Sequence, residues 1–247
     1  AFPIDIATGN VDTSPGRALW SARALLDART PDSRIIASHD GAGGVPFTAL
    51  GLGSTLVGQL ARSGTDGSQV LAWLRGDRSG EGTTYRARDS LLGDIVTAEP
   101  LYLEGIVYQA ANDGMLHAFD ASNGAELWAY VPFSVLPKLK RLADPLYTHE
   151  FFVDGTPTAA KILNGSRTIL VGGLRAGGAG FYALDITQPR VGDEATLASK
   201  VLWEFPNAST PAAVRDRIGM SFGKPVIVKT ASAGWVVLLT SGYNGAS

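Results

Sequence analysis

Residues Asn112 to Tyr130, NDGMLHAFDASNGAELWAY, limit the possible folds more than any other stretch. Asn112-Asp113-Gly114 reads as a tight turn, because Asn, Asp and Gly enter positive φ at little cost. Leu116, Ala118 and Phe119 form a short apolar strand around His117. Asp120 to Gly124 turns the chain again, most sharply at Asn123-Gly124, and Leu127 to Tyr130 is the returning strand. Together these describe one β-hairpin that ends on a Trp and a Tyr. A lone hairpin is marginal in water and has to stack on neighbours, so related units are expected elsewhere in the chain.

Two partial copies are present. Phe181 to Ile186 followed by Val201 to Phe205 repeats the order of an apolar strand, an Asp at its end, a turn, and Leu-Trp with an aromatic. Here the connection, Thr187 to Lys200, is longer. The fainter copy is Pro225 to Val228 followed by Gly234 to Leu239. Pro100, Pro157 and Pro225 each precede a unit, at spacings wider than the roughly 40–50 residues of simple propeller repeats. The expected fold is mainly β: a modified quinoprotein-like β-propeller, incomplete, with about three to four blades and short helical insertions.

Composition supports an all-β reading, with 30 Gly and 13 Pro among 247 residues. A net charge of −2 argues against a nucleic-acid partner, which generally needs a basic face. The absence of Cys excludes disulfides, zinc-thiolate sites and a cysteine nucleophile. No apolar run is long enough to span a bilayer. A chain opening on Ala1 without a signal peptide reads as a processed or cut product.

Residues 1–33 are expected to form an N-terminal extension with a helix from about Pro15 to Ala28, and residues 34–247 part of a propeller domain. Ser14-Pro15 supplies the helix start, and Ala18, Leu19, Ala22, Leu25 and Leu26 recur at helical spacing. Leu56 to Arg62 and Val70 to Leu74 suit helices, with a Gly-rich charged loop over Arg75 to Arg88. Strands are expected at Arg34 to Ser38, Asp94 to Thr97, Leu101 to Tyr108 with a turn at Glu104-Gly105, and Phe151 to Val153. Asn164-Gly165 joins a further hairpin. Ser134 to Ala143 suits a short amphipathic helix with a basic face of Lys138, Lys140 and Arg141, and Thr210-Pro211 starts another short helix.

The motifs LRGDRS (Leu74 to Ser79), SLLGDIV (Ser90 to Val96), ANDGMLHAFDASNGAELWAYVP (Ala111 to Pro132), FVDGTP (Phe152 to Pro157), GGLRAGGAGFYALDIT (Gly172 to Thr187), VLWEF (Val201 to Phe205) and SGYNG (Ser241 to Gly245) occur in that order. Over roughly Arg34 to Ser247 the chain resembles the C-terminal propeller of the PilC/PilY family of type IV pilus biogenesis and tip-adhesin proteins. The resemblance implies a non-enzymatic protein exported through the periplasm to the cell surface or pilus tip, associated with the outer membrane. It implies minor pilins and the pilus machinery as partners, host-cell or surface receptors as further ones, and roles in pilus assembly, retraction control, twitching motility and adhesion. It also implies calcium in an Asp-rich loop after the GYN motif, beyond residue 247, and no metal within this chain. A quinone-dependent dehydrogenase and an outer-membrane assembly scaffold are the rival readings.

Arg75, Gly76 and Asp77 form the tripeptide that integrins read on a displayed loop, and are the candidate adhesion loop. The same residues belong to LRGDRS and suit a tie between loop and blade, which is the stronger of the two readings. Asn112, Asp113, Gly114, Asp120 and Asp185 are structural candidates at blade turns, the two last because they occupy the same place in two repeats. Gly219 to Gly223 matches G-x-S-x-G, but no Asp, Glu or His follows Ser221, so no catalytic residue is expected. Of the histidines, His117 suits a hydrogen bond to a neighbouring loop, and His149 a pairing with Asp154.

Overall fold

The structure, a computed structural model, describes residues 1–243. Helix α1 is Ala22–Asp27, capped by the Ser21 hydroxyl, which accepts from the Ala24 N–H. The helix expected from Pro15 fails at its first turn: Gly16 sits at φ +80°, outside helical space, and the Arg17 N–H closes a turn on the Ser14 carbonyl. Strands β1 (Ile36–His39) and β2 (Gly44–Pro46) pair antiparallel. Helices α2 (Ala49–Leu60) and α3 (Gly67–Arg75) follow, the latter closed by a capping box of Asp66 and Gln69.

The central hairpin forms as its turn chemistry dictates. Strands β3 (Leu101–Leu103), β4 (Ile106–Ala111), β5 (Met115–Asp120) and β6 (Glu126–Tyr130) make an antiparallel meander. Glu104 and Gly105 both have positive φ, which lets a two-residue loop join β3 to β4. Every residue of β5 is buried, so this strand is covered on both faces and shows no apolar–polar alternation. β1 adds to β6 in parallel, giving one six-stranded sheet in the order β2-β1-β6-β5-β4-β3. The N-terminal strands therefore extend the sheet of the central hairpin itself.

Short helix α4 (Leu136–Leu139) leads to the second sheet, formed by β7 (Thr158–Ile162), β8 (Arg167–Gly173), β9 (Phe181–Asp185) and β10 (Val201–Phe205) in the order β10-β9-β8-β7. The long connection before β10 carries helix α5 (Glu194–Ala198), which packs back on β1 and β2. After α6 (Ala212–Arg215), β11 (Val226–Thr230) and β12 (Gly234–Leu238) form a two-stranded sheet. These three sheets do not close into a ring among the described residues, as expected for part of a propeller.

Three expected elements take other forms. Asp94 to Thr97 is not a strand: the Thr97 N–H donates to the Asp154 carboxylate and the Glu99 N–H to the Thr156 hydroxyl, so side chains replace a strand partner. Phe151 to Val153 is not a strand either, and the Phe152 N–H donates to Asn112 Oδ1. The helix expected over Ser134 to Ala143 is α4 flanked by two 3₁₀ turns, Phe133–Val135 and Lys140–Ala143. Its apolar residues Val135, Leu136, Leu139 and Leu142 are nevertheless buried. The main core runs from α2 and α3 through the first sheet to Tyr182 and Leu184. A smaller cluster, Ile169, Val171 and Ala183, joins the second and third sheets.

Candidate functional site

The first sheet holds a buried chain of charge. His117 of β5 lies on a fully buried strand, where an unpaired polar group would be costly. Its Nδ1 is 2.8 Å from Glu126 Oε1 and its Nε2 3.0 Å from Asp113 Oδ2. Arg34 grips the same carboxylate with Nε and Nη2, both at 2.9 Å, and donates through Nη1 to the Arg75 carbonyl. Burial alone would depress the His117 pKa; the Asp113 and Glu126 carboxylates outweigh it and push it up to about 9. Burial would raise the Glu126 pKa, but Arg34 and His117 hold it well below the usual carboxylate range. His117 therefore bonds within its own hairpin, not to a neighbouring loop.

This chain of charge ends in the tight turn. Asp113 accepts from the N–H groups of Met115 and Gly93, and Gly114 sits at φ +92°. Asn112 spends both ends of its amide: Oδ1 on the Phe152 N–H, Nδ2 on Asp94 Oδ2. The turn thus ties SLLGDIV to FVDGTP. Buried Asp154 adds Thr97 and, at 3.3 Å, Arg175. His149 pairs with Asp94 at 2.8 Å and not with Asp154. Asp120 and Asp185 make the same turn bonds two residues on, to the N–H and hydroxyl of Ser122 and of Thr187. Each also meets an arginine, Arg190 and Arg167 respectively.

The Arg75-Gly76-Asp77 tripeptide is not a displayed loop, which corrects the adhesion-loop expectation. Arg75 is the last residue of α3 and points inward. Its guanidinium donates to the carbonyls of Phe47, Pro31 and Arg34 and pairs with Glu194 of α5 at 2.7 Å. Gly76 is buried at φ +124°, and Asp77 caps Ser79. Both Nη groups of Arg75 go to joining α3, the first sheet and the second sheet's long connection. We expect Arg75→Ala to cost about 2–3 kcal/mol, because it strands several buried acceptors, and Asp77→Ala no more than about 1 kcal/mol. Urea unfolding of both variants checks this order, and equal losses would contradict it.

Glu204 of β10 crosses to the first sheet. Its Oε1 accepts from the Tyr130 hydroxyl and the Phe133 N–H, both at 2.6 Å. Desolvation dominates over these donors and pushes its pKa up to about 7. No cation pairs with it among the described residues; Tyr130 and Tyr182 face it. A raised folded pKa favours the folded state below the usual value near 4.5, and that gain is lost as pH rises through about 7. The shift corresponds to about 3 kcal/mol. Glu204→Gln keeps an acceptor for the two short bonds, so denaturant unfolding at pH 5 and pH 8 should show a smaller pH difference than in the parent. An unchanged difference would exclude Glu204 as its source.

The Ser221 hydroxyl accepts from the N–H groups of Leu174 and Arg175 and donates to the Gly178 carbonyl, so it closes a loop. The expected basic face is broken, because Lys138 turns in to the carbonyls of Phe151 and Gly177. No group of three or more His, Cys, Asp or Glu suited to a metal ion occurs among the described residues. No helix there is long and apolar enough to cross a membrane.

The PilY1 beta-propeller domain family matches residues 94–247, the stretch that holds the tight turn, FVDGTP, the end of SLLGDIV and all but the first two strands. The chain belongs to the PilY1 propeller family. It is 35% identical over 233 residues to a type IV pilus biogenesis factor PilY1 homolog of Xylella fastidiosa, covering 80% of this chain and 18% of that protein. It is 34% identical over 272 residues to the type IV pilus biogenesis factor PilY1 of Pseudomonas aeruginosa strain PAK, covering 92% of this chain and 22% of that protein. The crystal structure of the P. aeruginosa PilY1 C-terminal domain shares 37% identity over 54% of this chain and 24% of that chain, with a TM-score of 0.38. The chain spans about a fifth of the length of these curated relatives.

Within the PilY1-matched region, His117 and Glu126 depend on Arg34, and Glu194 on Arg75; both arginines precede residue 94. Glu126, Arg34, Glu194 and Glu204 were not singled out from the sequence, and Asp154 only as a partner of His149. Glu126 and Glu204 did carry a signal, since each is an acid beside the repeated Leu-Trp of a strand otherwise apolar.

Proposed function

We propose that this chain acts, as part of a larger protein, in type IV pilus biogenesis, as a non-enzymatic propeller whose loops dock minor pilins. The match of the PilY1 propeller family to residues 94–247 carries this reading, together with relatives named type IV pilus biogenesis factors. The physical arrangement is compatible with a rigid docking platform. Charged side chains tie α3, two sheets and three loops, and spend themselves on structure. Ser221, the sequence's one nucleophile-like motif, is engaged by three backbone groups. The finer roles we assign are control of retraction, twitching motility and adhesion at the cell surface or pilus tip, with calcium held in a loop beyond residue 247. Adhesion would use surfaces other than Arg75 to Asp77.

Deletion of the gene, followed by shearing and quantification of surface pilin, tests the proposal. Loss of pili in the mutant, with the protein present in the parent's sheared fraction, is the expected result. Unchanged pili and no protein in that fraction would overturn it.

A further inference from the structure

A cavity of about 360 Å³ lies between α3 and the Ser90 to Asp94 segment, with Trp73, Arg86 and Tyr147 in its wall. Its two inner arginines differ. Arg88 lies 3.7 Å over the Trp73 ring and is fully spent, donating to Glu81 and to the carbonyls of Trp73 and Asp77. Arg86 is equally well held: its backbone N–H donates to the Ala143 carbonyl and its Nε to the Leu142 carbonyl. Its guanidinium carbon is 4.5 Å from the Tyr147 ring and 5.8 Å from the Trp73 ring. Yet Nη1 and Nη2 of Arg86 have no hydrogen-bond or ion-pair partner among the described residues. Trp73 Nε1, on a residue only 2% exposed, is also buried without a partner. The Arg86 fork is therefore the free donor of this wall, fixed by its Nε bond and two rings yet unpartnered at both Nη groups, while burial shuts Trp73 Nε1 off from the cavity.

The chemistry of that ligand follows from the donors. Fixing Nε leaves the two Nη groups as a planar end-on fork, which matches the two oxygens of a carboxylate. The aromatic rings hold the fork in orientation before anything binds, which reduces the ordering cost of binding. The acids of the same wall do not fill this role. Asp113 is engaged by Gly93 and His117, Asp94 by Asn112 and His149, and Asp89 is solvent-exposed. The volume suits a side chain or a small molecule. We propose that this cavity binds a carboxylate group, gripped end-on by Arg86 beside the Trp73 indole. The source is an acidic side chain of a polypeptide or a free small carboxylate. The inference stands apart from the pilus reading.

Nitrogen-edited NMR of the chain gives a direct readout, because each of its five tryptophans contributes an indole N–H signal. Trp73→Phe assigns the relevant one. Titration with blocked glutamate (acetyl-Glu-methylamide) and, separately, with succinate should shift the Trp73 signal saturably at millimolar concentration. Tighter binding of blocked glutamate indicates a polypeptide source, and tighter binding of succinate a free carboxylate. Arg86→Gln should weaken binding at least tenfold with the other four indole signals in place. If that variant loses signal dispersion, Arg86→Lys, which keeps the charge but not the fork, carries the same expectation. No saturable shift with either probe, equal binding of blocked glutamine, or undiminished binding by the Arg86 variants would overturn the proposal.

Discussion

Replacement of Glu126 by alanine is expected to lower stability by about 3–5 kcal/mol, the largest effect of any single charge in the chain. The carboxylate is the shared partner of Arg34 and His117, and all three side chains are buried. Its removal strands a guanidinium in the core, together with an imidazole left only Asp113. Cutting the buried pair from one side costs more than the pair contributes, because the remaining charge keeps its full desolvation penalty. Urea unfolding at pH 7 measures the loss, and a value below about 1 kcal/mol would show that water or rearrangement compensates the stranded arginine.

The same network gives an alkaline signature. His117 has a folded pKa of about 9 against an ordinary value of 6.5. A raised folded pKa stabilises fully below about 6.5, and that contribution disappears as pH rises through about 9. Unfolding free energy should therefore fall between those limits in the parent. The fall should be shallower in His117→Gln, which cannot titrate.

The second large effect separates two tryptophans that look equivalent in sequence. Trp128 and Trp203 each follow a Leu in the returning strand of a repeat. Trp128 is 2% exposed, packs 5.8 Å from the Tyr108 ring and donates its indole N–H to the Pro189 carbonyl at 2.7 Å. Trp203 sits on β10, the edge of its sheet, and is half-buried beside Trp235 around an open cavity. Trp128→Ala should cost about 3–5 kcal/mol, as for other large core truncations. Trp203→Ala should cost about 1 kcal/mol, because the side chain retains water contact on one face and leaves no closed void. Thermal unfolding of the two variants checks the ranking. Comparable losses would mean that β10 is covered more completely than this chain shows.

The hairpins were readable because turn chemistry acts over two or three adjacent residues. Glu104-Gly105, Asn112 to Gly114 and Asn164-Gly165 all adopt positive φ at one or more positions, and strands flank each. The repeat of Asp, turn and Leu-Trp placed β5–β6 and β9–β10 correctly. The apolar alternation that normally betrays a strand failed at Asp94 to Thr97 and Phe151 to Val153 for a definable reason. Their backbone N–H groups found the side chains of Asp154 and Asn112, which lie tens of residues away in sequence. At Arg75 the displayed loop was the weaker of two readings, and only the fold shows that its guanidinium is bound by groups contributed from residues 31 to 194.

Turn residues and short repeats were enough to set the class of fold and the position of most hairpins, because these depend on neighbours in the chain, and the family was legible through its resemblance in a series of ordered motifs. Which of two matching tryptophans is core, that β1 joins β6 in parallel, and that Arg34, His117 and Glu126 share one buried charge centre were left to the folded packing. Burial and the choice of ionic partner are properties of surfaces brought together from distant segments, and desolvation gives them their energy only once those surfaces have met.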